Sequence, residues 1–142
     1  MSEESIFKGG CLCGSVQFEI TPPTKVVAHC HCSMCRRAHG AAFATYIGVL
    51  KKHFSITEGR ELVRWYRSSP KAERGFCSNC GSSMLFSYIE NQEDIFVSLA
   101  NISGKIDREP DFHLFYDDRA DWCSYDDGKV KLGGQSGQEP LD

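Results

Sequence analysis

Seven of the eight cysteines fall in three close-spaced groups: Cys11 with Cys13, Cys30 with Cys32 and Cys35, and Cys77 with Cys80. Thiolates one or three positions apart can turn toward one ion with little help from the rest of the fold, so this spacing is that of zinc ligation. Two C-x-C or C-x-x-C pairs complete a tetrahedral four-sulfur site. That leaves Cys30, Cys32 and Cys35 as a trio with one coordination position open. A closed site is structural, whereas an open one can do chemistry.

The quartet Cys11, Cys13, Cys77 and Cys80 would close a long loop, tie the first strand to a central hairpin and add its binding energy to folding stability. For the trio, the fourth donor decides the class of function. Water or a substrate sulfur makes the site catalytic; His31, His39 or the remote Cys123 makes it structural. Three thiolates around Zn²⁺ leave a net charge of −1, which weakens the metal as an acid. A soft thiol is therefore a better guest than water. Arg36 and Arg37 follow the last ligand and can offset local negative charge or orient a substrate carboxylate. His39, four positions after Cys35, is a candidate acid/base group. The plainer readings are a solvated basic face for the arginines and a packed or backbone-bonded imidazole for His39. His113 reads as a satisfied strand residue and Cys123 as a small buried one.

The 142 residues suffice for one domain with its own core. No apolar run approaches the ~18 residues of a membrane span. The acidic start, Met1-Ser2-Glu3-Glu4-Ser5, lacks the basic and apolar regions of a secretory signal and places the chain in the cytoplasm, where thiols stay reduced and metal ligation is favoured over disulfides. The formal charge of −3 falls to −6 once two zinc ions and seven thiolates are counted, which opposes nucleic-acid binding.

Short apolar or alternating runs separated by Gly, Pro, Asn and Asp predict an all-β chain, with small twisted sheets organised around the zinc sites. Strands are expected around Val16–Ile20, Val26–Ala28, Ala41–Val49, Phe54–Thr57, Leu62–Tyr66 and Phe112–Tyr116. Ser83–Tyr88 and Asp94–Leu99 read as a hairpin turning at Asn91-Gln92. Cys32 to Gly40 has the character of a ligand loop with a single helical turn, Gly40 being its stop. The large aromatics, Trp65 and Trp122 among them, are expected in the core. Residues 1–130 make the domain and residues 131–142 a flexible tail with little to bury. The aspartates from Asp117 to Asp127 lack the spacing of a calcium loop and read as turns.

Three segments, Gly10-Cys11-Leu12-Cys13-Gly14, Cys30-His31-Cys32-Ser33-Met34-Cys35-Arg36-Arg37-Ala38-His39-Gly40 and Arg74-Gly75-Phe76-Cys77-Ser78-Asn79-Cys80-Gly81-Ser82, together resemble the glutathione-dependent formaldehyde-activating enzymes, also called the centromere protein V/GFA domain. The resemblance runs from about Gly9 to Trp122. It implies a structural zinc on Cys11, Cys13, Cys77 and Cys80 and a catalytic zinc on Cys30, Cys32 and Cys35. The named activity joins glutathione to formaldehyde as S-hydroxymethylglutathione, a carbon–sulfur lyase reaction. Expected partners are accordingly a small thiol and an aldehyde, with no nucleic acid and no membrane. The alternative from another class is a non-catalytic zinc module that binds a protein, whose sign would be a closed second site; a redox role would show as a Cys32–Cys35 disulfide.

Overall fold

Phe18 and Ile20 are fully buried while Gln17 is exposed, the period-two alternation of a strand with one face on a core. The same logic recurs along the computed structural model, which describes residues 5–141; the acidic start through Glu4 lies outside them. In chain order the strands are β1 (Phe7–Gly10), β2 (Gln17–Ile20) and β3 (Val26–Cys30). A helix α1 (Ser33–His39) follows, then β4 (Ala44–Leu50), β5 (Phe54–Glu58), β6 (Val63–Ser69), β7 (Ala72–Cys77), β8 (Ser83–Tyr88) and β9 (Asn91–Ser98). The last are β10 (Ile102–Ser103), β11 (Phe112–Leu114), β12 (Val130–Gly133) and β13 (Glu139–Pro140). Among the described residues no helix is long and apolar enough to cross a membrane.

The chain groups into two compact units, one from the residues up to Lys25 with Ile47–Arg108, the other from Val26–Tyr46 with the residues from Glu109 onward. The first unit holds an open antiparallel sheet in the order β10-β1-β2-β5 and a second in which β9, β8, β7 and β6 follow the distal half of β4. Its core is Val16, Phe18, Ile20, Ile47, Val49, Met84, Ile95 and Val97, none more than 4% exposed. In the second unit the order is β13-β12-β11-β3, with the start of β4 beside β3. There β11 runs parallel to both β3 and β12.

The fold is mostly β but not purely so, because α1 is a seven-residue helix rather than one turn. Its cap explains the length. Cys32 stays extended while its Sγ accepts a hydrogen bond from the Cys35 amide, and Gly40 closes the helix in the left-handed region with its N–H on the Arg36 carbonyl. The expected hairpin exists, but its turn is Ile89-Glu90, with Tyr88 paired to Asn91. Asn91 and Gln92 look like turn residues because their side chains hold that turn from the strand end: Gln92 Nε2 donates to the Tyr88 and Ile89 carbonyls, and Asn91 Oδ1 accepts from the Glu93 amide.

Two aromatics depart from the expected core: Trp65 is 42% and Trp122 71% exposed. Trp65 lies on β6, the terminal strand of its sheet, where only one edge is paired. Residues 131–142 hold most of β12 and all of β13. Gly133 and Gly137 are buried there, and a side chain at Gly137 would overlap the Phe115 ring.

Candidate metal centres

Two hairpin turns of the first unit carry the quartet. The β1–β2 connection presents Cys11 and Cys13, with the Gly14 amide bonded to the Cys11 carbonyl and the Cys11 amide to the Val16 carbonyl. At the β7–β8 turn, Cys77 at the end of β7 and Cys80 in the connection are presented in the same way, the Gly81 amide reaching the Cys77 carbonyl at 2.7 Å. Gly81 has φ +81°, where a β-carbon is costly, and this conformation lets the chain fold back under the sulfurs.

All four Sγ atoms lie within 4.8 Å of one another; Cys11 and Cys13 are 3.6 Å apart, Cys13 and Cys77 3.9 Å. Amide donors aim at them: Val16 N–H at Cys11, Asn79 and Cys80 N–H at Cys77, and the Asn79 side-chain amide at Cys13. Hydrogen bonds from Ser15 and then Asn79 hold the exposed Cys13 thiol down to about 5, whereas burial pushes Cys77 up to about 11. Donors that favour thiolate, in a group too crowded for four uncompensated negative charges, fit a tetrahedral cation. Ser82 and Asn101 support the turn from behind, Asn101 Nδ2 donating to the Gly10 carbonyl and to Ser82 Oγ.

The trio forms at the junction of β3 and α1 in the second unit. Cys30 ends the strand, Cys32 caps the helix and Cys35 lies in its first turn, and their Sγ atoms also fall within 4.8 Å of one another. Among the described residues, no further cysteine, histidine or carboxylate joins all three inside that distance. Sharing hydrogen bonds with Cys32 and Cys35, with burial adding to the effect, drives the Cys30 thiol up. Cys30 and Cys35 are buried, Cys32 half-buried, and all eight cysteines are free of disulfides. These donors fit a soft, tetrahedral ion with a vacancy.

The neighbours named from the sequence take distinct places. Arg36 donates through Nε to the His31 carbonyl and through Nη2 to the Asp118 carbonyl, both at 3.0 Å, and so ties the ligand loop to the turn after β11. Asp118 answers by accepting the Ser33 amide. Arg37 is exposed. His39 Nε2 lies 2.9 Å from the Tyr46 hydroxyl, and Cys123 is half-buried with its amide on the Ala120 carbonyl. His31 lies against His113 rather than in the sulfur group, the Nε2 to Nδ1 distance being 2.7 Å.

A further cluster joins His29, His113 and Asp127, with ligand atoms within 4.8 Å. Sequence spacing hides it, because the three residues come from distant segments: His29 and His113 meet through the parallel pairing of β3 with β11, and Asp127 comes from the loop before β12. Asn79, Ser82 and Asn101 escape sequence reasoning for a similar reason, since supporting donors follow no fixed interval.

The family model for the glutathione-dependent formaldehyde-activating enzyme matches residues 6–118. An uncharacterized lyase of Schizosaccharomyces pombe is 30% identical over 115 residues, covering 81% of this chain and 82% of that protein. A Halomonas elongata protein, provisionally named a glutathione-dependent formaldehyde-activating enzyme, is 26% identical over 125 residues, 82% of this chain and 79% of its own. A crystal structure of a Rhodobacter sphaeroides protein superposes with a TM-score of 0.59 at 27% identity, covering 70% of this chain and 91% of the other.

Proposed function

The chain belongs to the glutathione-dependent formaldehyde-activating enzyme family, and from that membership we propose that it is a zinc-dependent enzyme of carbon–sulfur chemistry, joining a small thiol to an aldehyde or releasing the two from their adduct. The observation that supports this reading is the trio itself: three sulfurs converging within 4.8 Å of one another on one loop, a group that no further histidine, cysteine or carboxylate among the described residues joins. Cys11, Cys13, Cys77 and Cys80 would hold a structural ion, and Cys30, Cys32 and Cys35 the functional one. Zinc at the trio would supply a soft cation that keeps a thiol ionised at neutral pH.

The remaining work falls to the chain. Arg36, fixed by the His31 and Asp118 carbonyls, sets positive charge beside the ligand loop, where it orients a carboxylate of the thiol compound. His39 moves the proton, held in orientation by the Tyr46 hydroxyl. In the forward direction a carbon–sulfur bond forms as the carbonyl π bond breaks, and the proton leaving the thiol ends on the new hydroxyl oxygen. No oxidant or reductant is required.

Exchange between free formaldehyde, glutathione and the S-hydroxymethyl adduct, followed by NMR with zinc-loaded protein, tests the proposal. The expected outcome is acceleration over the spontaneous exchange, abolished by Cys32→Ser. An unchanged exchange rate removes glutathione as the substrate.

A further inference from the structure

In-register pairing of the parallel strands β3 and β11 sets His29 level with His113, and residues level on neighbouring strands present their side chains to one face. The two rings lie 4.7 Å apart, centroid to centroid. Cys30, the next residue on β3, projects to the opposite face, which separates this cluster from the sulfur trio. The loop entering β12 then brings in Asp127.

Each imidazole is held from its far side. His29 Nδ1 is 2.8 Å from Thr45 Oγ1, and His113 Nδ1 is 2.7 Å from His31 Nε2. The opposite nitrogens face the Asp127 carboxylate: His113 Nε2 is 2.9 Å from Oδ1 and His29 Nε2 3.8 Å from Oδ2. The second spacing is too long for a hydrogen bond but within reach of two metal–ligand bonds of about 2.1 Å each. Imidazoles anchored through one nitrogen, with the other beside a carboxylate, have the organisation of metal-ligating histidines. His113 is fully buried and His29 is 9% exposed.

We propose that His29, His113 and Asp127 form a third metal site, which takes a divalent first-row transition ion through two imidazole nitrogens and one carboxylate oxygen. The donor set is nitrogen and oxygen rather than sulfur, so the site selects a different class of ion from the two cysteine groups. Binding needs no proton loss from the rings. His113 gives up its proton on Nε2 for one on Nδ1, which it donates to His31 Nε2, and His31 carries its own proton on Nδ1. Three protein donors leave further positions to solvent or a small ligand.

The test uses the full chain loaded with two equivalents of Zn²⁺, which the thiolates take first, and then titrated with Co²⁺. The expected result is uptake of one further ion per chain, with visible d–d absorption and no sulfur-to-cobalt charge-transfer band in the near ultraviolet. Asp127→Asn and His29→Gln are each expected to weaken that uptake by at least about tenfold while zinc content and circular dichroism stay as in the wild type. The wild-type titration decides the matter even if a variant fails to fold. Absence of further cobalt uptake, uptake accompanied by the charge-transfer band, or wild-type affinity in a folded variant overturns the proposal. A failure of thiol–aldehyde catalysis would leave all of these readouts unmoved.

Discussion

Asn79 sits between the two cysteines of the second turn, and its side-chain amide reaches across to Cys13 at 3.3 Å. A neutral donor to a thiolate raises its fitness as a ligand and fixes its direction. Asn79→Ala is therefore expected to weaken metal retention at the quartet by about 10-fold or more, measured by competition with a chromophoric chelator, without altering the trio. Arg36 makes the parallel case at the trio. A hydrogen bond to a charged group contributes roughly 1.5–3 kcal/mol, and because only the Nε bond to the His31 carbonyl is shielded from solvent, Arg36→Ala should lower unfolding stability by about that amount. Arg36→Lys should recover little of it, because an ammonium cannot reproduce the two-point contact with the His31 and Asp118 carbonyls. Chemical denaturation of both variants measures the difference.

At the level of elements, strand positions follow from alternation and the cysteine groups from spacing. Both are properties of consecutive residues. Phe18 and Ile20 announce β2, and Cys32 and Gly40 mark the ends of α1, because each signal lies inside the element it describes. What escaped the sequence depends on partners far along the chain. The pairing of β11 with β12 determines whether the last residues have anything to lie against, and the parallel register of β3 with β11 assembles His29 and His113. The Lys25–Asp94 ion pair is another such contact, at 2.8 Å. Lys25 holds the Asp94 carboxyl below its ordinary value of 3.8. A carboxylate lowered on folding stabilises the native state fully above that ordinary value, and the contribution is lost as pH falls through the lower folded one. Asp94→Asn is thus expected to cost under about 1 kcal/mol at neutral pH, since Lys25 is half-exposed, and to cost nothing in strong acid. Thermal melts of the two proteins across the acid range should converge.

For the whole molecule, the C-terminal segment offers the sharpest test. With β12 beside β11 and Gly137 against Phe115, deletion of residues 131–142 should expose the β11 edge and lower Tm by more than about 5 °C. A tail without a role would leave the melting curve where it is.

The order in which this chain leaves the ribosome has a bearing on its metal chemistry. The segment bearing Cys30, Cys32 and Cys35 is made early, but its parallel neighbour β11 begins only after Arg108, once the whole of Ile47–Arg108 has been synthesised. Contacts of such long range are slow to form. Until this pairing forms, the β3 edge that ends at Cys30 would lack its β11 partner, and the three thiols of the β3–α1 junction would be open to oxidants and to whichever soft cation arrives first. If the trio holds zinc as proposed, chains synthesised in a zinc-poor, copper-rich medium are expected to carry copper at the trio more often than at the quartet, as metal analysis of the wild type and of a Cys32→Ser variant would show.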